Sequence, residues 1–274
     1  MSRRHNRPGN IRSTLAAFLR MDFMEDISYP LSFAFGQLGA LAPVVIYFFV
    51  ARLVGSERRV GGDYFTFVVI GFSIATMLQG ALSGFGGSLQ RALDRGTFET
   101  FLVEPVRWTF LPFAMNLWRS MLGAFTGTLV LAAGLVLGAD YRAAGIPEFL
   151  VLLLLGIAAS TGIGILSASV VVLAKRAQPI VAMYGLAASL LAGVLFSVDL
   201  LPGWLRALSW LVPHTYAINA AREVLMHTPV AGAVPFGSAV IALLVFIVLS
   251  FIPGLWALSR SLEYARKLGT LSGY

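Results

Sequence analysis

Long apolar stretches separated by short polar breaks give the first reading of this chain. Six of them, at about Leu31 to Leu53, Phe65 to Gly86, Phe110 to Leu137, Phe149 to Leu173, Ile180 to Val198 and Val234 to Leu258, are nearly free of charge. Each approaches or exceeds the roughly 20 apolar residues that a helix needs to cross a bilayer. A soluble core is assembled from shorter or periodic apolar runs, so the pattern predicts six transmembrane helices.

The breaks refine that picture. Pro30 stands where a helix start tolerates proline, and Pro43 predicts a kink in the first span. The polar run Gly55 to Asp63 is short enough only to turn the chain back. Small residues at Gly71, Ser73, Gly80, Ser83, Gly84, Gly86 and Gly87 predict close helix contacts along the second span. That span ends in a polar, helical-looking stretch, Ser88 to Glu104. Residues 199–232 are too long and too apolar for an ordinary hairpin loop. Neither half around Pro213 can span, so this segment reads as short helices dipping into or lying on the far membrane surface.

Before the first span, residues 1–30 read as a cytoplasmic tail and a helix at the membrane surface. Arg20, Asp22, Glu25 and Asp26 interrupt the apolar core that a cleaved signal would need. Ile11, Leu15 and Phe18 share a face of that helix, and Asp22 falls on the same face. Residues 31–258 form the transmembrane domain, and 259–274 form a polar tail.

Composition agrees with the pattern. Of 274 residues, 58% are hydrophobic and 12% charged, and the mean hydropathy is +0.82. The net charge of +7 sits mostly at the ends of apolar runs, which fits an anionic membrane surface better than nucleic acid. With the N-terminus inside, thirteen of the 20 basic residues fall on the inner side, and Arg119 lies within a span. Six fall outside, among them Arg52, Arg58, Arg59 and Arg222. The excess places both termini in the cytoplasm.

The chain has no cysteine, which excludes thiol catalysis and disulfide scaffolding. Its two lysines, Lys175 and Lys267, stand in no phosphate-binding loop, so any nucleotide hydrolysis belongs to another polypeptide. His5, His214 and His227 show no metal-ligand pairing, and His214 reads as a hydrogen-bonding residue near the interface. Asn116 and Arg119 are the candidate functional polar groups inside a span. Arg119 would lie roughly 16 Å from a helix start near Trp108, far for a side chain snorkelling toward the cytoplasmic headgroups, so a buried partner or a water-filled surrounding is the other reading. The scarcity of other charge within the spans argues against ion-coupled transport.

Three stretches carry a resemblance. Arg95 to Val106 holds Arg95, Gly96, Thr97, Phe98, Glu99, Leu102 and Glu104 before Pro105. Phe196 to Arg206 holds Pro202 and Trp204. Trp210 to Ala217 contains Pro213-His214-Thr215-Tyr216, followed by Arg222. Together they resemble the permease subunit of the ABC-2 class of ATP-binding-cassette exporters over nearly the whole chain. The resemblance implies an all-α membrane protein in which Arg95 to Glu104, within a segment at 88–106, includes the coupling helix that touches an ATPase. It implies external re-entrant helices around Pro202, Trp204, Pro213 and Tyr216. Glu104 stands where many relatives carry a small or neutral residue.

The implied function is export of an amphipathic or lipid-like compound, such as a drug, glycolipid or polysaccharide precursor, across a prokaryotic inner membrane by alternating access. The implied partners are two ATPase subunits, which bind ATP and magnesium, and a second permease, identical or homologous. The chain itself would bind no cofactor and no metal. Rival readings are an importer permease, a structural or signalling membrane protein, and an intramembrane enzyme, for which no convergent acid–base or nucleophile site is evident.

Overall fold

The computed structural model describes residues 11–54, 64–94, 111–174, 178–228 and 230–267. Among them are nine α-helices and no strand: α1 (Ile11–Ile27), α2 (Pro30–Val54), α3 (Tyr64–Asp94), α4 (Leu111–Val136), α5 (Ile146–Ala174), α6 (Gln178–Leu191), α7 (Gly203–Ser209), α8 (Pro213–Leu225) and α9 (Phe236–Lys267). Proline recurs near their starts, at Pro30, Pro112, Pro147, Pro179 and Pro213, where the missing N–H has no intrahelical partner to lose.

Five helices, α2, α3, α4, α5 and α9, are long and apolar enough to cross a membrane. The predicted fifth span is different. Its helix, α6, stops at Leu191 instead of running to Val198. Gly193 adopts φ +70, its N–H reaches the Leu190 carbonyl, and the Val194 N–H reaches back to Ser189. This is a Schellman cap, which a glycine in the left-handed region provides at little cost. Fourteen residues rise only about 21 Å, short of the roughly 30 Å hydrocarbon core.

Two boundaries shift as well. The polar stretch predicted to follow span two begins inside α3, which continues to Asp94. The predicted tail from residue 259 begins as the last turns of α9, which ends at Lys267. Pro43 lies inside α2, which remains one helix from Pro30 to Val54.

Helix α3 is the centre of the bundle. Phe67, Ile70, Ile74, Met77, Leu78, Leu82 and Phe85 are buried, and one apolar cluster joins its first half to α5, α8 and α9. At its other end a second cluster gathers Phe85 and Leu89 with Phe18 of α1, Met115 of α4, Ile165 of α5 and Leu258 of α9. Phe18 and Asp22, which share a helix face, are both buried. In contrast, α2 presents Leu31, Phe35, Leu38, Ile46, Phe49 and Leu53 outward. Such a continuous apolar face needs lipid or another helix to cover it.

Glycines set the closest approach, between α3 and α4. Gly80 on α3 faces Gly123 on α4, while Gly84, four residues on, meets Asn116 and Arg119 of α4, and Gly127, four residues past Gly123, meets Ser73 and Met77 of α3. A Cβ on Gly80 would lie 2.8 Å from the Arg119 carbonyl and 3.0 Å from Gly123 Cα. One on Gly127 would lie 2.7 Å from the Ser73 carbonyl. Two antiparallel Gly-x-x-x-Gly faces therefore bring the backbones together. The sequence marks both, although only the α3 glycines entered the predicted contact face.

Candidate functional site

A completely buried arginine organises one end of the bundle. The segment Pro213-His214-Thr215-Tyr216 opens α8, with Pro213 in its first turn. Two hydroxyls tie that turn to the end of α7: Thr215 Oγ1 donates to the Ser209 carbonyl at 2.6 Å, and Tyr216 Oη to the Trp210 carbonyl at 3.1 Å. Nearly two turns later Arg222, 0% exposed, reaches across to α3 and to the cap of α6. Its Nε donates to the Phe67 carbonyl at 3.2 Å, Nη1 to Gly193 at 2.9 Å and Nη2 to Val194 at 2.7 Å. Nη1 also meets Asn219 Oδ1 at 3.3 Å. The guanidinium lies 3.4 Å from the centroid of the Phe67 ring, a cation–π contact.

The sequence reading counted Arg222 only as one of the basic residues of the outside segments, whereas the structure buries it completely inside the protein. Gly193 and Val194 have just left α6, so their carbonyls lie beyond its hydrogen-bond ladder and accept from Arg222. Gly71 provides the space, since a Cβ there would meet Nη2 of the arginine. His214 is corrected too. It is 1% exposed, and neither ring nitrogen has a hydrogen-bond partner among the described residues; its ring packs against Tyr184 at 6.4 Å.

The other predicted residues of this region divide. Pro213 and Tyr216 belong to the packed assembly, with Tyr216 between Trp210 and Phe246. Pro202 and Trp204 lie on the surface, and Trp204 is 68% exposed. Arg206 is held there by the Asp199 carboxylate at 3.2 Å. The predicted coupling residues Arg95, Gly96, Thr97, Phe98, Glu99, Leu102 and Glu104 lie outside the described residues.

Asn116 and Arg119, predicted as polar groups within a span, serve different ends. Asn116 is buried, and its Nδ2 donates to the Ala81 carbonyl at 3.1 Å and to Thr161 Oγ1 at 2.9 Å, tying α3, α4 and α5 together. Gly84 leaves room for it. Arg119 has a carboxylate nearby and borders a groove. Asp26 at the end of α1 stands 3.8 Å away, and the side chain borders a groove of about 740 Å³ between α2, α3, α4 and α6. Gln37, Thr76, Gln79, Ser83, Thr126 and Ser189 give that groove uncharged polar positions, while Tyr47, Phe72, Leu186 and Leu195 supply apolar wall.

The corner where α1 meets α4 is acidic against basic. Trp118 Nε1 donates to Asp26 Oδ2 at 2.6 Å, and Phe23 meets the Trp118 ring edge-on at 5.2 Å. Burial raises the Asp22 carboxyl above its usual range, outweighing the opposite pull of Arg91 and Arg119. A carboxyl with a raised folded-state pKa holds its proton more tightly when folded. Its contribution to stability therefore grows as pH falls, and its charged form is a liability at neutral pH. Asp22→Asn is expected to raise the apparent melting temperature in detergent at neutral pH, with the gain shrinking as pH falls through the carboxylate range. A lowered melting temperature would mean that pairing with the two arginines dominates.

Among the described residues no group of three or more His, Asp or Glu side chains is placed to hold a metal. What the arrangement provides is a rigid buried clamp at one end and a polar groove leading toward a cation at the other. Residues 28–226 match a family model described as ABC-2 type transporter. No curated protein matches the chain.

Proposed function

Because the chain belongs to the ABC-2 type transporter family and is a multi-pass membrane permease, we propose that it moves an amphipathic or lipid-like compound outward in an ATP-driven exporter. The observation that carries this reading is the groove beside α3, where polar side chains border an otherwise apolar helical bundle. A compound with both polar and apolar parts matches such a wall, whereas a small ion would call for a ring of charges or carbonyls. In this reading two ATPase subunits, which hold ATP and magnesium, dock on the cytoplasmic face of a pair of permeases. The second permease is this chain again or a homologous one.

Transport proceeds by alternating access, with α6 as a sixth, shorter crossing, both termini in the cytoplasm of a prokaryotic inner membrane, and α7 and α8 re-entering from outside. The segment Arg95 to Glu104 receives the ATPase stroke. It follows α3 directly in sequence, and α3 packs against α4, α5, α6 and α8, so a push there would act on the centre of the bundle. The test is co-purification in detergent with the candidate ATPase, comparing the parent chain with one whose residues 95–104 are replaced by a neutral linker. A complex lost on replacement, with the permease still monodisperse, supports the reading. Unchanged association would remove this segment from the coupling role, and absence of any ATPase association would overturn the exporter assignment.

A further inference from the structure

The groove carries a charge at one end. Among the described residues that line it, Arg119 is charged and no carboxylate is present. The cation sits at the α1 end, where Gly80 and Gly84 of α3 approach its backbone and Cβ. Its Nε is buried and has no hydrogen-bond partner among the described residues. Its contact with Asp26, at 3.8 Å, is too long for a hydrogen bond. With the two side chains 32% and 19% exposed, that pairing is weak. Asp26 meanwhile has a short hydrogen bond of its own, from Trp118. The opposite end is apolar, with Phe72, Val194 and Leu195. Phe72 stands eleven residues from Ser83 along α3, about 16 Å.

We infer that this groove selects an amphiphile with an anionic headgroup, a phosphate or a carboxylate, and that Arg119 exchanges Asp26 for that headgroup when the ligand enters. This deepens the proposed function, on which it rests, by naming the headgroup chemistry and the residue that reads it. The guanidinium, on a side chain that is 32% exposed, offers a forked set of donors that fits a phosphate or carboxylate in two-point contact. Gln79 and Ser83, which line the same groove as Arg119, supply uncharged hydrogen-bonding groups beside it. The exchange connects groove to α1. An anion that draws Arg119 away leaves Asp26 held by Trp118 alone and loosens one of the contacts between α1 and α4.

The test uses the full chain in complex with its ATPase, in maltoside detergent, titrated with dodecyl phosphate, dodecylphosphocholine or inorganic phosphate while thermal unfolding is followed. Dodecyl phosphate is expected to bind about tenfold or more tighter than dodecylphosphocholine, the difference one charge-assisted contact provides. Inorganic phosphate is expected to bind weakly, which marks the source as a lipid-like anion and not a free one; phosphate binding as tightly as dodecyl phosphate would overturn the amphiphile assignment. Arg119→Gln is expected to erase the preference. Asp26→Asn, which keeps the acceptor for Trp118, is expected to tighten dodecyl phosphate several-fold by freeing the arginine. Preference retained in Arg119→Gln, or binding weakened in Asp26→Asn, would overturn the inference. The second variant decides the matter if the first fails to fold. ATPase association is scored in the same samples, so lost selectivity in an intact complex counts against this inference alone.

Discussion

Arg222→Ala is expected to lower the apparent melting temperature of the detergent-solubilised protein by roughly 6–12 °C and to cut the monodisperse yield sharply. The side chain makes four hydrogen bonds, three of them to backbone carbonyls of two separate segments. Between membrane helices such bonds average about 0.6 kcal/mol each, which alone gives about 2 kcal/mol. Truncation further leaves the Gly193 and Val194 carbonyls without their donor, at about 1–3 kcal/mol for each buried unsatisfied group, and opens a cavity beside Phe67. The relief of arginine desolvation offsets part of this. A net loss of about 3 kcal/mol is a large share of the 5–15 kcal/mol that folded domains have.

Two companion substitutions separate the causes. Arg222→Met restores most of the volume but none of the donors, and is expected to remain clearly destabilised. Arg222→Lys keeps a cation, yet a single ammonium cannot span Phe67 on one side and the α6 cap on the other, so it should fall between parent and alanine. Thermal unfolding with size-exclusion chromatography reads all three. If alanine melts with the parent, the clamp is not what holds α8 against α3 and α6.

Gly80→Leu is the second substitution with a large expected effect. The Cβ of any larger residue there falls 2.8 Å from a backbone oxygen of α4 and 3.0 Å from Gly123 Cα. Neither can rotate aside, so the two helices must separate. Overpacking by single methylenes already costs about 1–3 kcal/mol, and leucine adds four carbons where none fits. Loss of most folded protein is expected, with Gly80→Ala intermediate. Gly39→Leu on α2 is the matched control, because no atom lies within 4 Å of a Cβ at that position. Equal tolerance of Gly80→Leu and Gly39→Leu would show that α3 and α4 do not depend on their glycines.

The same residues show what could be read in advance. Phe18 and Asp22 share a face by helical spacing, and both are buried on that face. The glycines of α3 announced a close contact. Arg119 was conspicuous because an arginine deep in an apolar run needs a partner or water, and it has both Asp26 and a groove. The burial of Arg222 escaped notice because it followed two tryptophans and two prolines in a stretch that reads as a surface excursion, where an arginine needs no explanation. Its partners are backbone carbonyls, which carry no side-chain signature. A buried cation with no acidic partner in sequence was the available signal, and only the fold of α6 gave it meaning.

By itself the sequence determined that the chain is helical and built for a membrane, because hydrophobic run length and charge placement are local properties summed along the chain. It also marked the stretch around Pro213 as short helices and not a span, since the apolar runs on either side of the proline are too short to cross. The tertiary structure decided the rest. It placed Arg119 between Asp26 and the groove, since α1 and α4 are brought together only by packing. It turned Gly193 from a residue inside an apolar run into the cap that ends α6, where Arg222 donates to the Gly193 and Val194 carbonyls. Contacts between segments far apart in the chain follow from how helices pack, and no local pattern encodes them.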